Sequence, residues 1–318
     1  MKTIVPDYYR EFSCLAGACR HSCCIGWEID IDNDTLMRYG SLPEPLRSRV
    51  AGNIQITEDG ASFCLQGPEE RCPFLNENGL CDLILEQGEG ILCQICRDHP
   101  RFRTDYASCT ELGLGLCCEE AARLILTRKE KTGLVVWKED SEASVLPPAE
   151  EEFFILRRQI IELVQDRRMP AAARIHRLCR RFQLPFDPEA PFEDHARFLL
   201  TLERMDESWG ERLRRLTEIR AHRSGPAHRS WSEPFEQLAV YLLYRHLGRA
   251  KDGVSLPRCL TYCVFAWSLI RRLCALWEEE NGPLTQEAML EICRQYSCEL
   301  EYSDENPNKI ISRFYPGC

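Results

Sequence analysis

Cys14-Leu15-Ala16-Gly17-Ala18-Cys19-Arg20-His21-Ser22-Cys23-Cys24 places four thiols in one short stretch near the start of a 318-residue chain. The grouping continues through Cys64, Cys72 and Cys81, then Cys93 and Cys96, then Cys109, Cys117 and Cys118. Twelve of the 19 cysteines therefore fall in the first 118 residues. Closely spaced thiols suit a metal ion or an iron–sulfur cluster better than a hydrophobic core, because thiolates are soft charged donors that repel one another unless a cation compensates them. Cys93-x2-Cys96 has the spacing of a two-sulfur chelate. Cys19 and Cys23 face one centre if a loop or helical turn carries them, which turns Cys24 toward a second centre or a structural role. Cys72 and Cys81 bracket a turn-rich loop that brings both sulfurs together. The metal-ligand candidates are thus Cys14, Cys19, Cys23, Cys24, Cys72, Cys81, Cys93 and Cys96, with Cys109 and Cys118 as secondary ones. Spacing leaves zinc and iron–sulfur open. The C-x3-C-x2-C of radical enzymes is not met, since Gly26 stands where its third cysteine would be.

Outward from these thiols the first part of the chain reads as short irregular elements, broken at Asn76-Glu77-Asn78-Gly79 and Gln87-Gly88-Glu89-Gly90. Such a segment closes a conventional core poorly, and metal–thiolate bonds would supply cross-links. A helix is expected over Glu119–Lys131 and a short strand over Leu134–Trp137. Ser141–Glu151, with Pro147-Pro148, reads as a linker. Beyond it the 3.6-residue period dominates: Phe153, Leu156, Ile160, Leu163 and Val164 form one apolar stripe, and Ile175, Leu178, Cys179 and Phe182 another. Further helices are expected over Asp194–Met205, Trp209–His222, Pro234–Leu247, Pro257–Glu280 and Thr285–Tyr302, with Ser232 as an N-cap and Asn281-Gly282-Pro283 as a stop. The expected fold class is mainly α: an irregular, cysteine-rich, cluster-binding domain over residues 1–140, followed by an α-helical domain over residues 152–318. On apolar helix faces Cys179, Cys259, Cys263, Cys274 and Cys293 read as buried free thiols.

Residues 1–13 contain no apolar signal-peptide core, and no stretch reads as long and apolar enough to span a bilayer; Cys259–Ile270 is too short and ends at Arg271-Arg272. A cytoplasmic location is expected, with no membrane partner. Reducing conditions there, and an odd cysteine count, argue against a disulfide scaffold. The formal net charge of −10 lies entirely in residues 1–150, which carry 15 Lys+Arg and 25 Asp+Glu, whereas residues 151–318 carry 25 of each. An acidic surface repels nucleic acid, so no nucleic-acid partner is expected. Arg157–Arg181 holds eight arginines and reads as a solvated helix face or a contact for acidic surfaces. Oligomeric state is not legible.

Several blocks together resemble the flagellin lysine-N-methylase family. They are Cys14–Cys19 through Cys23-Cys24-Ile25-Gly26-Trp27 with Ile29-Asp30-Ile31-Asp32; Arg71-Cys72-Pro73-Phe74-Leu75 with Gly79-Leu80-Cys81; Gly88-Glu89 leading to Leu92-Cys93, Cys96-Arg97 and Pro100-Arg101; Cys118 with Glu120-Ala121-Ala122-Arg123; and Arg294-Gln295-Tyr296-Ser297 with Glu301-Tyr302-Ser303-Asp304-Glu305-Asn306. The first half also looks like a wider group of zinc- or iron-chelating cysteine-cluster proteins with no single function. Cys117, Glu119 and Cys298 depart from the family pattern. The resemblance implies transfer of methyl groups from S-adenosylmethionine to lysine amines of flagellin, and a [4Fe–4S] cluster in preference to zinc. The alternative is a non-catalytic zinc- or iron-chelating or redox module.

No strand–turn–helix glycine motif for a nucleotide is present; Gly113-Leu114-Gly115 is the tightest glycine run. Methyl transfer needs a neutral amine, so a proton acceptor or a desolvating site is required. Asp98, His99, Tyr106 and Tyr8 beside the cysteines are candidates, as are Asp304 and Glu305 on the resemblance; the plainer reading makes His99 a hydrogen-bonded loop residue and Asp304-Glu305-Asn306 a polar turn. Trp27 and Tyr39 read as core, with a methyl-lysine contact as the other possibility.

Overall fold

Helices dominate the computed structural model, which describes residues 1–58, 60–139, 146–218, 231–252 and 254–316. The chain divides into two units. The larger comprises Met1–Phe12, Phe102–Cys117 and Ala121–Cys318; the smaller comprises Ser13–Arg101 and Cys118–Glu120.

The larger unit starts with a sheet that the sequence pattern foreshadows only in part. Its strands are β1 (Lys2–Pro6), β5 (Arg101–Asp105), β6 (Cys109–Leu114) and β7 (Leu134–Glu139), in the order β5-β6-β1-β7. The first strand is central: it runs parallel to β6, with Ile4 opposite Glu111, and antiparallel to β7, with Ile4 opposite Val136. Only β7 was expected. Five residues ending in proline are too few to show a period of two.

The helices of this unit are α6 (Pro148–Val164), α7 (Ala171–Phe182), α8 (Glu193–Leu199), α9 (Glu207–Glu218), α10 (Ser232–His246), α11 (Leu256–Asn281), α12 (Gln286–Tyr296) and α13 (Asn306–Phe314). Between α12 and α13 the chain widens into a π-turn, Ser297–Glu301, so the long helix expected over Thr285–Tyr302 is interrupted. Thr285 caps α12, accepting from the Ala288 N–H at 3.2 Å. At α10 the cap position is Trp231, not Ser232, and no side chain bonds there. The helix expected over Glu119–Lys131 is shorter, α5 (Glu119–Leu126). Residues 141–145 of the expected linker and 219–222 of the expected Trp209–His222 helix lie outside the described residues, and α6 already begins at Pro148.

The centre of the larger unit is α11. Contrary to the expectation that no stretch is long and apolar enough to cross a membrane, this helix passes on length and composition, but 94% of its apolar window is covered by protein. A helix apolar all round is a core element when protein surrounds it. Trp267 is fully enclosed and donates its indole N–H to the Phe235 carbonyl at 2.9 Å; burying such a ring contributes roughly 1.5–3 kcal/mol. Cys179, Cys259, Cys263, Cys274 and Cys293 are buried free thiols, as expected.

The arginine run is only partly solvated. Arg157 is buried and donates twice to Glu111 on β6, one bond measuring 2.7 Å. Arg174 is buried against Glu236 and donates to the Val164 carbonyl at 2.8 Å. Arg167 reaches the same Glu236 at 2.9 Å. These pairs satisfy carboxylates that a solvated-face reading leaves without partners.

The glycine run at Gly113 also finds its reason here. A Cβ at Gly113 would lie 2.1 Å from the Phe102 ring, which packs flat across the backbone. Gly113→Ala should therefore force the ring aside and cost about 1–3 kcal/mol, read as a lowered urea midpoint with unchanged slope.

The smaller unit has a three-stranded sheet, β2 (Asp30–Ile31), β4 (Ala61–Phe63) and β3 (Ile54–Ile56), with β4 in the middle. Its helices are short: α1 (Asn33–Gly40), α2 (Leu46–Ala51), α3 (Asp82–Gln87) and α4 (Gln94–Asp98). Contrary to the expectation of a poorly closed segment, it owns an apolar core built on Tyr39, Val50, Phe63, Phe74 and Leu83. Tyr39 stacks on Phe63 at 6.0 Å, and Phe63 meets Phe74 edge-on at 5.0 Å.

Candidate thiol site and a buried carboxylate network

Cys72 and Cys93 belong to the core of the smaller unit, and Cys24, Cys81 and Cys96 pack against it. The backbone dictates this. The Cys72 N–H donates to the Cys24 carbonyl at 2.8 Å, so two distant loops meet at their cysteines. Cys81 and Cys93 occupy the residues just before α3 and α4, where backbone N–H groups lack helical partners. No side-chain hydrogen bond caps either turn, but the nearby N–H groups of Leu83 and Ile84 favour the Cys81 thiolate and that of Cys96 favours the Cys93 thiolate. The Phe74 N–H acts likewise on Cys72. Asp32 fastens the second of these turns, accepting from Thr35 N at 2.9 Å and Gln94 N at 2.8 Å. The Gln94 bond is the main reason its carboxyl lies at about 2.

The thiols perturb one another. Cys96 beside Cys93 lowers Cys93 and, in turn, Cys93 together with burial raises Cys96. In the same way the neighbouring Cys23 brings the Cys24 thiol down to about 7, helped by Ser22 and Arg71 against the effect of burial. Burial, with Cys24, Cys81 and Cys93 nearby, pushes Cys72 up to about 12. Cys24, Cys72, Cys81, Cys93 and Cys96 thus form one electrostatically connected set. Cys14, Cys19, Cys23 and Cys118 adjoin it through Cys23, which feels Cys24 first and then Cys14 and Cys118, while Cys19 feels Cys14. Cys109, by contrast, is buried on β6 in the larger unit.

Gly17 lets the first cysteine loop lie on the Cys72–Cys81 loop. A Cβ there would sit 2.6 Å from the Asn78 carbonyl oxygen. Asn76 shapes that second loop, its Oδ1 accepting from Asn78 N at 2.9 Å and Leu80 N at 3.1 Å.

Among the described residues, no three Cys, His, Asp or Glu side chains stand at metal-ligand spacing. The thiols are neighbours without a closed ligand shell. Their chemistry nonetheless suits a thiolate-bound centre. The donors are soft, and the Tyr39 hydroxyl is buried without a partner while feeling Cys93, Cys96 and Cys81.

His99 is half-buried; burial, then Arg101, lowers it to about 4, so it is neutral at pH 7. Asp98 is exposed at the end of α4. Asp304 and Glu305, in the larger unit, are also exposed; Glu305 pairs with Lys309, and the Asp304 carbonyl accepts from Asn308 at 3.4 Å. The buried member of that signature is Asn306, whose amide donates to the Glu203 and Glu299 carbonyls at 2.9 and 3.0 Å.

Sequence reading missed a buried carboxylate nearby. Glu301, at the end of the π-turn, accepts from the Tyr241 hydroxyl and His246 Nε2 at 2.7 Å each and from the Ser297 hydroxyl at 2.5 Å. Arg245 Nε lies 3.7 Å away. Burial alone would raise this carboxyl; Arg245 and His246 outweigh it and hold it at about 2. Burial keeps His246 low, so a neutral imidazole donates and Arg245 supplies the compensating charge. The available signal was a carboxylate on the buried stripe Cys293, Ser297, Glu301, spaced by four.

The family match lies in the larger unit. The sequence profile of the FliB lysine N-methylase C-terminal domain matches residues 185–315, which run from the start of the α8 region to the end of α13. The flagellar biosynthetic protein FliU of Salmonella muenchen is 30% identical over 146 residues, covering 44% of this chain and 86% of that protein. The lysine-N-methylases of Salmonella typhimurium (strain LT2) and Salmonella choleraesuis (strain SC-B67) are each 29% identical over 134 residues, 41% of this chain. The match spans only 33% of each of those two proteins. No solved structure matches.

Proposed function

Because this chain belongs to the FliB lysine N-methylase family, a family of protein-lysine methyltransferases, we propose that it methylates lysine side chains of flagellin with S-adenosylmethionine as donor. The observation that carries this reading is the profile match over residues 185–315, which includes the Glu301 network and its π-turn. A lysine ammonium first gives up its proton. The neutral amine then attacks the donor methyl carbon. The N–CH3 bond forms as the S–CH3 bond breaks, and sulfur keeps the electron pair as S-adenosylhomocysteine.

We further propose that four of Cys24, Cys72, Cys81, Cys93 and Cys96 hold a [4Fe–4S] cluster, with Cys14, Cys19, Cys23 and Cys118 as the ligand group of a second centre. Their soft donors, and the backbone N–H groups that favour the Cys81 and Cys93 thiolates, support this; zinc is the alternative ion. A bound cluster would supply positive charge that lets neighbouring thiols ionise together. Tyr39 is placed to donate to a ligand sulfur. The enzyme would act in the cytoplasm on flagellin.

The test is direct. Anaerobically purified protein incubated with S-adenosylmethionine and flagellin should add 14 Da, or multiples of it, to flagellin lysines by mass spectrometry. Unmodified flagellin after complete reconstitution would refute the enzymatic reading, and a colourless, zinc-containing sample would replace the cluster with zinc.

A further inference from the structure

Between the sheet and the helices of the larger unit lies a cleft of about 500 Å³. Its floor is the sheet face carrying Ile4, Glu111 and Val136, which stand side by side in register. Helices α6 and α10 roof it. A volume of this size lies in the range for drug- or nucleoside-sized ligands. It exceeds what a single lysine side chain needs.

Two polar atoms at this cleft lack protein partners. Tyr8 lines it and is 3% exposed, yet its hydroxyl makes no hydrogen bond among the described residues. Gln165 lines it at 7% exposure; its amide Nε2 donates to the Thr132 carbonyl at 3.0 Å, but its Oε1 accepts from no described residue. Neither oxygen is among the sealed, unpartnered atoms of the described residues; both open onto the cleft, where a donor and an acceptor stand ready for a ligand offering both. The other potential charges are already spent: Arg157 and Glu111 neutralise each other, and the Tyr244 hydroxyl donates to the Leu112 carbonyl at 3.0 Å. What remains is aromatic surface from Tyr8, beside Phe154 and Tyr244, whose rings already carry the Arg157 guanidinium at 5.1 and 5.6 Å; it favours a flat heterocycle. At the cleft, on exposed positions of α6, Arg158 and Glu162 offer opposite charges one helical turn apart, suited to a zwitterionic amino-acid end.

We infer that this cleft is the binding site for the methyl donor, S-adenosylmethionine: a heterocycle with hydrogen-bond donors and acceptors, a sulfonium cation and an amino-acid tail. The inference rests on the methyltransferase reading and goes beyond it by giving the donor a location, in the larger unit and on a lining that contains no cysteine.

The experiment uses the full chain and two readouts other than turnover. Ultraviolet cross-linking of S-adenosylmethionine to the wild-type protein, mapped by peptide mass spectrometry, should label peptides from residues 4–8, 132–136, 154–165 or 237–244. Titration calorimetry with S-adenosylhomocysteine should show Ile161→Trp, which projects an indole into the cleft, binding at least tenfold more weakly. Tyr8→Phe should weaken binding several-fold with no loss of thermal stability, because the deleted hydroxyl has no protein partner. That variant keeps the test decisive if Ile161→Trp misfolds. Labelling confined to residues 13–101, or unchanged affinity in Tyr8→Phe and a folded Ile161→Trp, overturns the location while leaving the methyltransferase reading intact. Absence of any binding to the wild type overturns both.

Discussion

Replacing Glu301 by alanine should destabilise the protein by about 3–5 kcal/mol, the cost of leaving a buried charge without its partner. In this case the abandoned group is Arg245, packed between the Phe102 and Tyr302 rings at 5.0 and 4.8 Å and hydrogen bonded to the Tyr241 hydroxyl at 3.1 Å. Three further donors, from Tyr241, Ser297 and His246, lose their acceptor together. Glu301→Gln keeps an acceptor of the same shape but not the charge, and should fall between alanine and wild type. Urea unfolding followed by far-ultraviolet circular dichroism measures both; a loss under about 1 kcal/mol for alanine would contradict the assignment. The acid limb gives an independent check. A carboxyl lowered to about 2 contributes stability that is present in full above the ordinary glutamate range near 4.3 and vanishes as pH falls through 2. That contribution is on the order of 3 kcal/mol. The wild type should therefore lose stability steeply between pH 5 and 2 by about this amount, and Glu301→Gln should show a shallower limb over the same window.

The second large effect concerns the thiols. Cys93→Ala combined with Cys96→Ala should reduce bound iron by at least the roughly 10–100-fold in affinity that loss of a supporting residue costs, since these would be ligands themselves. Flagellin methylation should fall with it. Iron and sulfide analysis alongside the visible spectrum separates this from unfolding, as does the retained core of Tyr39, Phe63 and Phe74. Cys259→Ala serves as the comparison, because that thiol is a buried core group on α11. Equal iron in wild type and double variant would remove Cys93 and Cys96 from the ligand set.

The helical majority was legible because its apolar residues recur with a period that only a helix can bury. Ile175, Leu178 and Cys179 point inward in the structure as their spacing requires. The chelating look of Cys93 and Cys96 was equally local, three positions apart on one turn. What escaped reading was set by contacts between distant segments. Nothing near Cys72 indicates that its N–H will meet the Cys24 carbonyl. The arginine run looked solvated because Glu111 and Glu236, which bury two of its members, lie 46 and 62 residues away. Glu301 was overlooked because a single carboxylate in a polar C-terminal stretch carries no sign of the histidine and tyrosine that enclose it. The cleft is likewise absent from any motif: its floor and roof come from five separate parts of the chain.

The central position of β1 has a consequence for how the molecule is made. The strand leaves the ribosome before both its neighbours, β6 and β7, which lie more than a hundred residues downstream. At synthesis rates of about 5–20 residues per second, this strand waits on the order of ten seconds unpaired. Almost the whole of the smaller unit emerges during that interval, free to settle on its own apolar centre before the sheet closes. Birth order thus favours folding of the smaller unit first and sheet closure second.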